Sequence, residues 1–595
     1  MRPTADGKAA GAACPRPVPC SRFLSLLLAA AAVTATAIAC GPDRDQPPDE
    51  APEAAAAPIT PDPISAAELA AHTRELASDA YQGRGPAGPG EAPTLRYLQD
   101  AYARIGLQEA GDNAPTGATG GPSAYLQEVG LLSITADPAT ANLAFVGSTG
   151  AAAMELRYGP DFVAWTTTPT PTVDVSGRLV FVGYGVNAPE EGWNDYGGLD
   201  MTGKVALMLV NDPPLPDASR FGGPAMTYYG RWTYKYEEAA RQGAAGAILI
   251  HTTESAGYGW QVVESSWSGE QLHVPLGPAS MPPTPLQGWI TREVAERLFD
   301  AAGLDFTALA AGAGREGFAA VDLGLIAAGH LDNTTQTVTS YNVVGAAQGS
   351  DPELADEYII YTAHWDHLGI GSPVGGDAIY NGAMDNATGV AGLLEIAAAW
   401  TSHAPRPRRS ALFIATTAEE SGLLGSAYYV ENPLVPLDKT LAVINLDVLN
   451  VWGPTEDLIV VGLGNSTLDD VLSEALAEQG RVVGPDPEPE KGFFYRSDHF
   501  PFARAGVPAL YVDYGTRFVG RPPELGQQVR DDYTENRYHQ PADEFDESWD
   551  FSGTALDLEA LLAVGRAISA ADTWPEWKPG TEFKATREAM LGGRR

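Results

Sequence analysis

Residues 358–369, "YIIYTAHWDHLG", change from apolar to polar within one short segment. Its first four residues are aromatic or β-branched, the types that favour a strand packed in a core. Within a few positions the chain then places His364, Asp366 and His367. Buried charges are costly without a partner. The stretch therefore predicts a strand that begins in the core and ends at a polar site.

Strands and helices alternate from about residue 330 onward. Examples are "GVAGLLEIAAAWTS", "RSALFIATTA", "TLAVINLD" and "VPALYVDY". Such alternation is typical of a largely parallel sheet covered by helices, whose functional groups collect beyond the carboxyl ends of the strands. We predict an α/β fold with a mixed, largely parallel central sheet flanked by helices, and a small β-rich insert.

Acids and a histidine stand at the other strand ends and loops. Glu419 and Glu420 follow one apolar run, and Asp447 ends another. Asp385 lies in a loop directly before a helix, and His539 lies in a polar loop near the C-terminus. Such groups are costly to bury unless metal ions gather them. Two zinc ions suit this donor set, because three carboxylates nearly balance their charge and imidazole nitrogens complete it.

Six stretches occur in an order that resembles metallopeptidase family 28, the co-catalytic zinc aminopeptidases. They are "TAHWDHLG", "GAMDNATG", "TTAEESGLLGS", "INLD", "RSDHFPF" and "YHQPADEFD". The resemblance implies the zinc aminopeptidase/phosphorylase-like fold and two zinc ions per chain. It implies that His364 and Asp447 bind one ion. It also implies that Glu420 and His539 bind the other, with Asp385 as the bridge.

The resemblance also implies catalytic roles. Glu419 would be the general base that takes a proton from the attacking water and passes it to the leaving amine. Asp366 would accept the imidazole N–H of the histidine two residues before it. Tyr538 and Tyr495 are both candidates to stabilise the oxyanion. His367 stands where the family often has serine, and its role is left open between a pocket wall, a third nitrogen near the metals and a hydrogen-bonded or surface histidine.

Three other functions are compatible with parts of the sequence. A serine triad of Ser497, Asp498 and His499 is set aside, because triads are assembled from separate segments. A receptor-like homologue without catalysis would have lost metal ligands, whereas all five positions and the base are present here. A glutamate-carboxypeptidase-like enzyme could use Arg496 and Arg517 for acidic C-termini, although both arginines also suit surface ion pairs. The acidic chain favours a peptide substrate with a free amine, and hence an aminopeptidase.

The first forty residues have the pattern of an export signal. A basic leader precedes the apolar run "FLSLLLAAAAVTATAIAC", whose "AIAC" resembles the processing site of bacterial lipoproteins. This predicts lipidation of Cys40, export, and a lipid anchor at the bacterial cell envelope, in the periplasm or at the outer membrane. The net charge of −39 argues against nucleic acid and anionic headgroups as partners, so the lipid would be the only membrane contact.

Composition divides the rest of the chain. Residues 141–325 resemble a protease-associated domain, an insert with a lid or substrate-access role. Oligomeric state is left open. The predicted divisions are a lipoprotein signal peptide at 1–39, a disordered tether at 40–63, the first part of the peptidase domain at 64–140, the insert at 141–325, the catalytic domain at 326–575 and a tail at 576–595.

Overall fold

The computed structural model describes residues 64–112, 124–147, 152–215, 220–275 and 281–592. The predicted signal peptide, Cys40 and the tether lie outside these residues. No helix within the described ranges is both long and apolar enough to cross a membrane.

The described chain begins with two helices and the edge of the main sheet. Ser65 caps the first helix by accepting the backbone N–H of Glu68 at 3.2 Å. The elements are α1 (Ala66–Leu76), α2 (Glu91–Ile105), β1 (Gln108–Glu109) and β2 (Leu126–Ala136).

A second sheet follows in the region of the predicted insert. Its strands are β3 (Asn142–Gly147), β4 (Ala152–Glu155), β5 (Phe162–Trp165), β6 (Thr172–Phe181), β9 (Val205–Leu209), β10 (Gly246–His251) and β12 (Leu286–Thr291). Other elements here are β7 (Asn187–Ala188), β8 (Trp193–Asn194), α3 (Trp232–Arg241), α4 (Thr253–Ala256), α5 (Trp260–Trp267), β11 (Glu270–His273), α6 (Arg292–Ala301) and α7 (Phe306–Ala313). Assignment of this region as a protease-associated domain stays a prediction, as do the domain boundaries.

One long strand, β13 (Val321–Ala347), belongs to both sheets. Its first part pairs antiparallel with β6 and β3, and its second part pairs antiparallel with β2. The second sheet therefore joins the main sheet through an unbroken backbone.

The main sheet continues through the remainder of the chain. Its strands are β14 (Tyr358–His364), β17 (Ser410–Thr416), β18 (Thr440–Asn445), β19 (Asp457–Val461), β20 (Val482–Pro485) and β21 (Ala509–Asp513), with a separate hairpin of β15 (Gly369–Val374) and β16 (Asp377–Tyr380). The helices are α8 (Gly389–Thr401), α9 (Leu424–Glu431), α10 (Leu468–Glu478), α11 (His499–Arg504), α12 (Leu525–Asn536), α13 (Ser552–Ala570) and α14 (Lys584–Gly592).

The centre of this sheet is parallel. β17, β14, β18 and β21 are neighbours in that order and all run the same way, while β13 and β19 flank them antiparallel. Ile359 and Tyr361 of β14 pack into the core on one face with Leu393 of α8, and Ile360 packs on the other face with Phe502 of α11. Helices thus cover both faces, which explains the unbroken apolar run of β14 and confirms the predicted fold class.

Candidate metal centre and active site

The five predicted metal ligands gather beyond the carboxyl ends of the parallel strands. His364 Nε2 lies 3.3 Å from Asp385 Oδ1 and 3.3 Å from Asp447 Oδ1. His539 Nε2 lies 3.4 Å from Asp385 Oδ2 and 3.0 Å from Glu420 Oε2. The two oxygens of Asp385 therefore face two different groups, each with one imidazole and one further carboxylate.

These donors fit zinc. Ligand atoms about 2.0–2.1 Å from a tetrahedral zinc ion lie roughly 3.3 Å from one another, close to the observed separations. The side chain of His364 is only 1% exposed. Such a set of nitrogen and oxygen donors, buried together at the end of a cavity, is what a catalytic zinc site requires.

The pKa of Glu419 is shifted in the opposite direction from that of its neighbour Glu420. Burial alone would lower the pKa of His539, but the Glu420 and Asp385 carboxylates outweigh burial and raise that pKa to about 10. Burial would raise the pKa of Glu420, yet the nearby histidines lower it to about 2. For Glu419, burial and the adjacent carboxylates together raise the pKa well above its usual range. Contact with the histidines thus lowers the pKa of Asp385 and Glu420, whereas burial raises that of Glu419.

Glu419 lies against the group formed by His364 and Asp447, because ligand atoms of these three residues all lie within 4.8 Å of one another. Its Oε2 lies 4.0 Å from His364 Nε2, and its side chain lines the cavity. A carboxylate in this position can reach a water held between the ligand groups, which is the geometry that a general base needs.

A cavity of about 640 Å³ opens over the cluster. One wall comes from the main sheet and its loops, and the other from the insert region, including Tyr228, Trp232, Tyr258 and Trp267. Helix α5 also reaches the centre itself, because Ser266 Oγ lies 3.1 Å from Nδ1 of His539. Both parts of the chain therefore build the site.

Residues 342–562 match peptidase family M28. This M28 segment contains all five predicted ligands and Glu419.

Curated relatives and a solved structure resemble the chain. It is 28% identical over 293 residues to leupeptin-inactivating enzyme 1 of Streptomyces exfoliatus, covering 47% of this chain and 61% of that protein. It is 30% identical over 238 residues to aminopeptidase YwaD of Bacillus subtilis, covering 39% of this chain and 44% of that protein. The chain thus spans less than two thirds of these relatives' length. An aminopeptidase from Aneurinibacillus sp. strain AM-1 has a similar fold, with a TM-score of 0.50, 18% identity and coverage of 87% and 97% of the two chains. The matches support the M28 metallopeptidase family predicted from the sequence.

Asp366 contacts His364 through a different atom from the one predicted. His364 Nδ1 donates to the main-chain oxygen of Asp366 at 3.1 Å, whereas the Asp366 carboxylate lies 3.8 Å away. That carboxylate accepts the backbone N–H groups of Glu419 at 3.1 Å and Glu420 at 3.4 Å. Asp366 therefore fixes the histidine through its backbone and the two acids through its side chain.

The two candidate tyrosines have different contacts. The Tyr538 ring lies 4.0 Å from the ring of His539, centroid to centroid, and lines the cavity. Tyr495 also lines the cavity, but its hydroxyl donates to Glu582 at 2.9 Å. Glu582, beyond the M28 segment, thus holds the Tyr495 hydroxyl toward the C-terminal tail, and the role of Tyr495 stays a prediction.

His367 is buried and hydrogen-bonded. Its Nδ1 lies 2.6 Å from Glu420 Oε1, and its ring meets the ring of His539 edge-on at 5.6 Å. Of the roles named for His367, this contact matches a hydrogen-bonded histidine, whose partner is the carboxylate of the predicted ligand Glu420.

The sequence did not predict the contacts by which Ser497 and Asp543 support the ligands. Ser497 donates to Asp447 Oδ2 at 2.6 Å and accepts from Asn445 Nδ2 at 2.6 Å, so it holds the carboxylate of a predicted ligand. The carboxylate of Asp543 accepts the backbone N–H groups of Met384, at 3.0 Å, and of Asp385, at 3.1 Å. "RSDHFPF" and "YHQPADEFD" marked both positions, but pattern alone could not show which atoms they bind.

Arg84 hydrogen-bonds to main-chain oxygens near His364 and Asp385. Its guanidinium is buried and donates to the main-chain oxygens of Leu76, Trp365, Asn381 and Gly382, at 2.6–2.9 Å. It therefore connects the end of β14 to the loop that carries Asp385. A lone arginine in a glycine-rich turn gave no indication of this role.

Proposed function

We propose that the chain is a zinc-dependent aminopeptidase that holds two zinc ions and hydrolyses the first peptide bond of peptide substrates. The observation that carries this proposal is the position of Asp385, whose two oxygens face separate imidazole and carboxylate pairs. Relatives named aminopeptidases support the reaction class.

His364, Asp385 and Asp447 would hold one ion, and Asp385, Glu420 and His539 the other. When bound, the ions would supply Lewis-acid chemistry, polarising the scissile carbonyl and increasing the acidity of the attacking water. Each imidazole would present Nε2 to its ion, because the Nδ1 atoms contact Asp366 and Ser266.

Glu419 would carry the proton. Its carboxylate lies in the cavity beside His364 and would accept a proton from the attacking water, then give it to the departing amine. Tyr538, whose ring centroid lies 4.0 Å from that of His539, would donate to the developing oxyanion.

Replacing Glu419 tests the proposal. Glu419→Gln should lower kcat on leucine p-nitroanilide by about 10²–10⁴-fold, because the amide cannot accept the proton. Elemental analysis should still find two zinc ions per chain. Glu478→Gln, on the exposed surface of α10, is the matched control and should behave as the unmodified protein. Retained turnover by Glu419→Gln would remove Glu419 from the mechanism, and fewer than two ions in the unmodified protein would contradict the two-zinc proposal.

A second part of the proposal concerns location. Export by the leader and lipidation of Cys40 would place the enzyme at the bacterial cell envelope, where its substrates are extracytoplasmic peptides. The sequence "AIAC" supports this part.

A further inference from the structure

The loop that carries Glu419 and Glu420 has a strained backbone. This Glu419 loop, residues 417–423, connects the end of β17 to the start of α9. Ala418 and Leu423 have φ angles of 52° and 63°, in the left-handed region that residues with a Cβ rarely adopt. Such conformations persist where the surrounding structure holds them in place. The geometry of the two acids therefore depends on contacts from outside the loop.

One buried carboxylate contacts the elements on both sides of the Glu419 loop. Asp498, directly before α11, is 0% exposed. Its Oδ2 accepts the hydroxyl of Thr416, the last residue of β17, and its Oδ1 accepts the hydroxyl of Ser426 in α9 at 2.5 Å. Thr416 and Ser426 are buried as well. A single side chain thus joins the strand before the loop to the helix after it.

The surroundings of Asp498 favour a role in geometry over a role in stability. Among the described residues its carboxylate has no ion pair, and a buried carboxylate without one contributes little to folding. Asp498 is itself held firmly, because Phe502 of α11 is buried and packs against Tyr429 of α9, with ring centroids 5.6 Å apart. Thr416 is also the register partner of His364, so the contact lies beside a predicted metal ligand.

We propose that Asp498 is a positioning residue for the general base Glu419 and for the metal ligand Glu420. The proposal rests on the proposed function and extends it to a residue that touches neither substrate nor metal. By fixing Thr416 relative to Ser426, Asp498 keeps the loop in the conformation that places Glu419 Oε2 4.0 Å from His364 Nε2. It acts through its two hydrogen bonds and not through its charge.

Asp498→Ala removes both hydrogen bonds. At saturating zinc, its kcat on leucine p-nitroanilide should fall about 10- to 100-fold, because displacement of a reacting group by about 1 Å has an effect of that size. KM should change little, since Asp498 is not among the described residues that line the cavity. Independently of turnover, competition with a chromophoric chelator should show about a tenfold higher Kd for one zinc ion, the one assigned to Glu420.

Asp498→Asn separates hydrogen bonding from charge. A hydroxyl can donate or accept, so the asparagine oxygen can accept from one hydroxyl while its amide donates to the other. This variant should recover most of the kcat and of the zinc affinity lost in Asp498→Ala. The double variant Thr416→Val/Ser426→Ala, which removes the same contacts from the other side, should match Asp498→Ala. Combining all three changes should cause no further loss, because the residues act as one unit.

Asp195→Ala is the matched control for the loss of a buried carboxylate. Asp195 also accepts two hydrogen bonds, from Trp193 Nε1 at 2.8 Å and from the backbone N–H of Val186 at 2.9 Å, both in the insert region. Its kcat and zinc affinity should equal those of the unmodified protein.

Three outcomes would overturn the role of Asp498. They are unchanged kcat and zinc affinity in Asp498→Ala, an Asp498→Asn variant as impaired as Asp498→Ala, and an unimpaired Thr416→Val/Ser426→Ala variant. The last comparison decides the question if Asp498→Ala does not fold. Failure of the unmodified protein to bind zinc or to hydrolyse the substrate would instead contradict the proposed function.

Discussion

Substitution of Ser266 by alanine should weaken zinc binding, although Ser266 belongs to the insert region and not to the M28 segment. Ser266 Oγ lies 3.1 Å from Nδ1 of His539, whose Nε2 faces Asp385 and Glu420. With Nε2 directed at a metal, Nδ1 carries the proton and donates it to the serine oxygen. Ser266→Ala leaves that N–H without its acceptor.

The expected magnitude follows from this contact. An unpaired buried donor costs about 1–3 kcal/mol, and loss of a group that orients a metal ligand lowers metal affinity about 10- to 100-fold. Ser266 is only half-buried, so water can partly replace its oxygen. We therefore expect the lower end, about a tenfold increase in the Kd of one of the two zinc ions.

Competition with a chromophoric zinc chelator measures this effect directly and without reference to turnover. Ser265→Ala is the matched control, since Ser265 is the adjacent residue on α5. Among the described residues, its hydroxyl donates to two main-chain oxygens, those of Val262 at 3.2 Å and His539 at 3.4 Å, and to no side chain. The ion held by His364 should keep its affinity in both variants. Equal zinc affinities for Ser266→Ala and the unmodified protein would refute the argument that α5 helps to build the metal centre.

Three further predictions concern the metals, the anchor and the core. Exhaustive dialysis against a chelator should abolish hydrolysis of leucine p-nitroanilide, and added zinc should restore it; activity that survives dialysis would argue against metal catalysis. Cys40→Ala should move the protein from the membrane fraction to the soluble fraction, whereas a variant that still sediments with membranes would contradict the lipid anchor. Asp557→Ala should destabilise the fold by about 3–5 kcal/mol, because it leaves the buried guanidinium of Arg481, now 2.5 Å from Asp557 Oδ1, uncompensated. Urea unfolding measures this change, and a loss below about 1 kcal/mol would show that water compensates Arg481.

Strand ends were the most predictable part of the site. Apolar runs that stop at His364 and Asp447 already indicate a sheet with a polar edge, because such a run cannot continue through a charged group without cost. Asp385 and His539 lie in loops, where no periodicity constrains the fold. Their assignment depended on the resemblance to a family, and the structure places both beside the strand-end ligands.

Side-chain direction was the part that the sequence could not supply. Tyr495 stands next to a motif, yet its hydroxyl turns toward Glu582, which is far along the chain. Ser266 lies 273 residues before His539, whose Nδ1 it contacts, in a region with loose motifs. Contacts of this kind arise only when the insert packs against the M28 segment, and local patterns carry no information about them.

The continuity of β13 ties the insert region to the main sheet. Asp332 pairs with β6 of the second sheet, and the next residue, Asn333, pairs with β2 of the main sheet. Relative movement of the two sheets therefore requires the backbone to bend between Asp332 and Asn333. A single strand thus couples the sheet of the insert region to the sheet whose strand ends carry the candidate metal ligands.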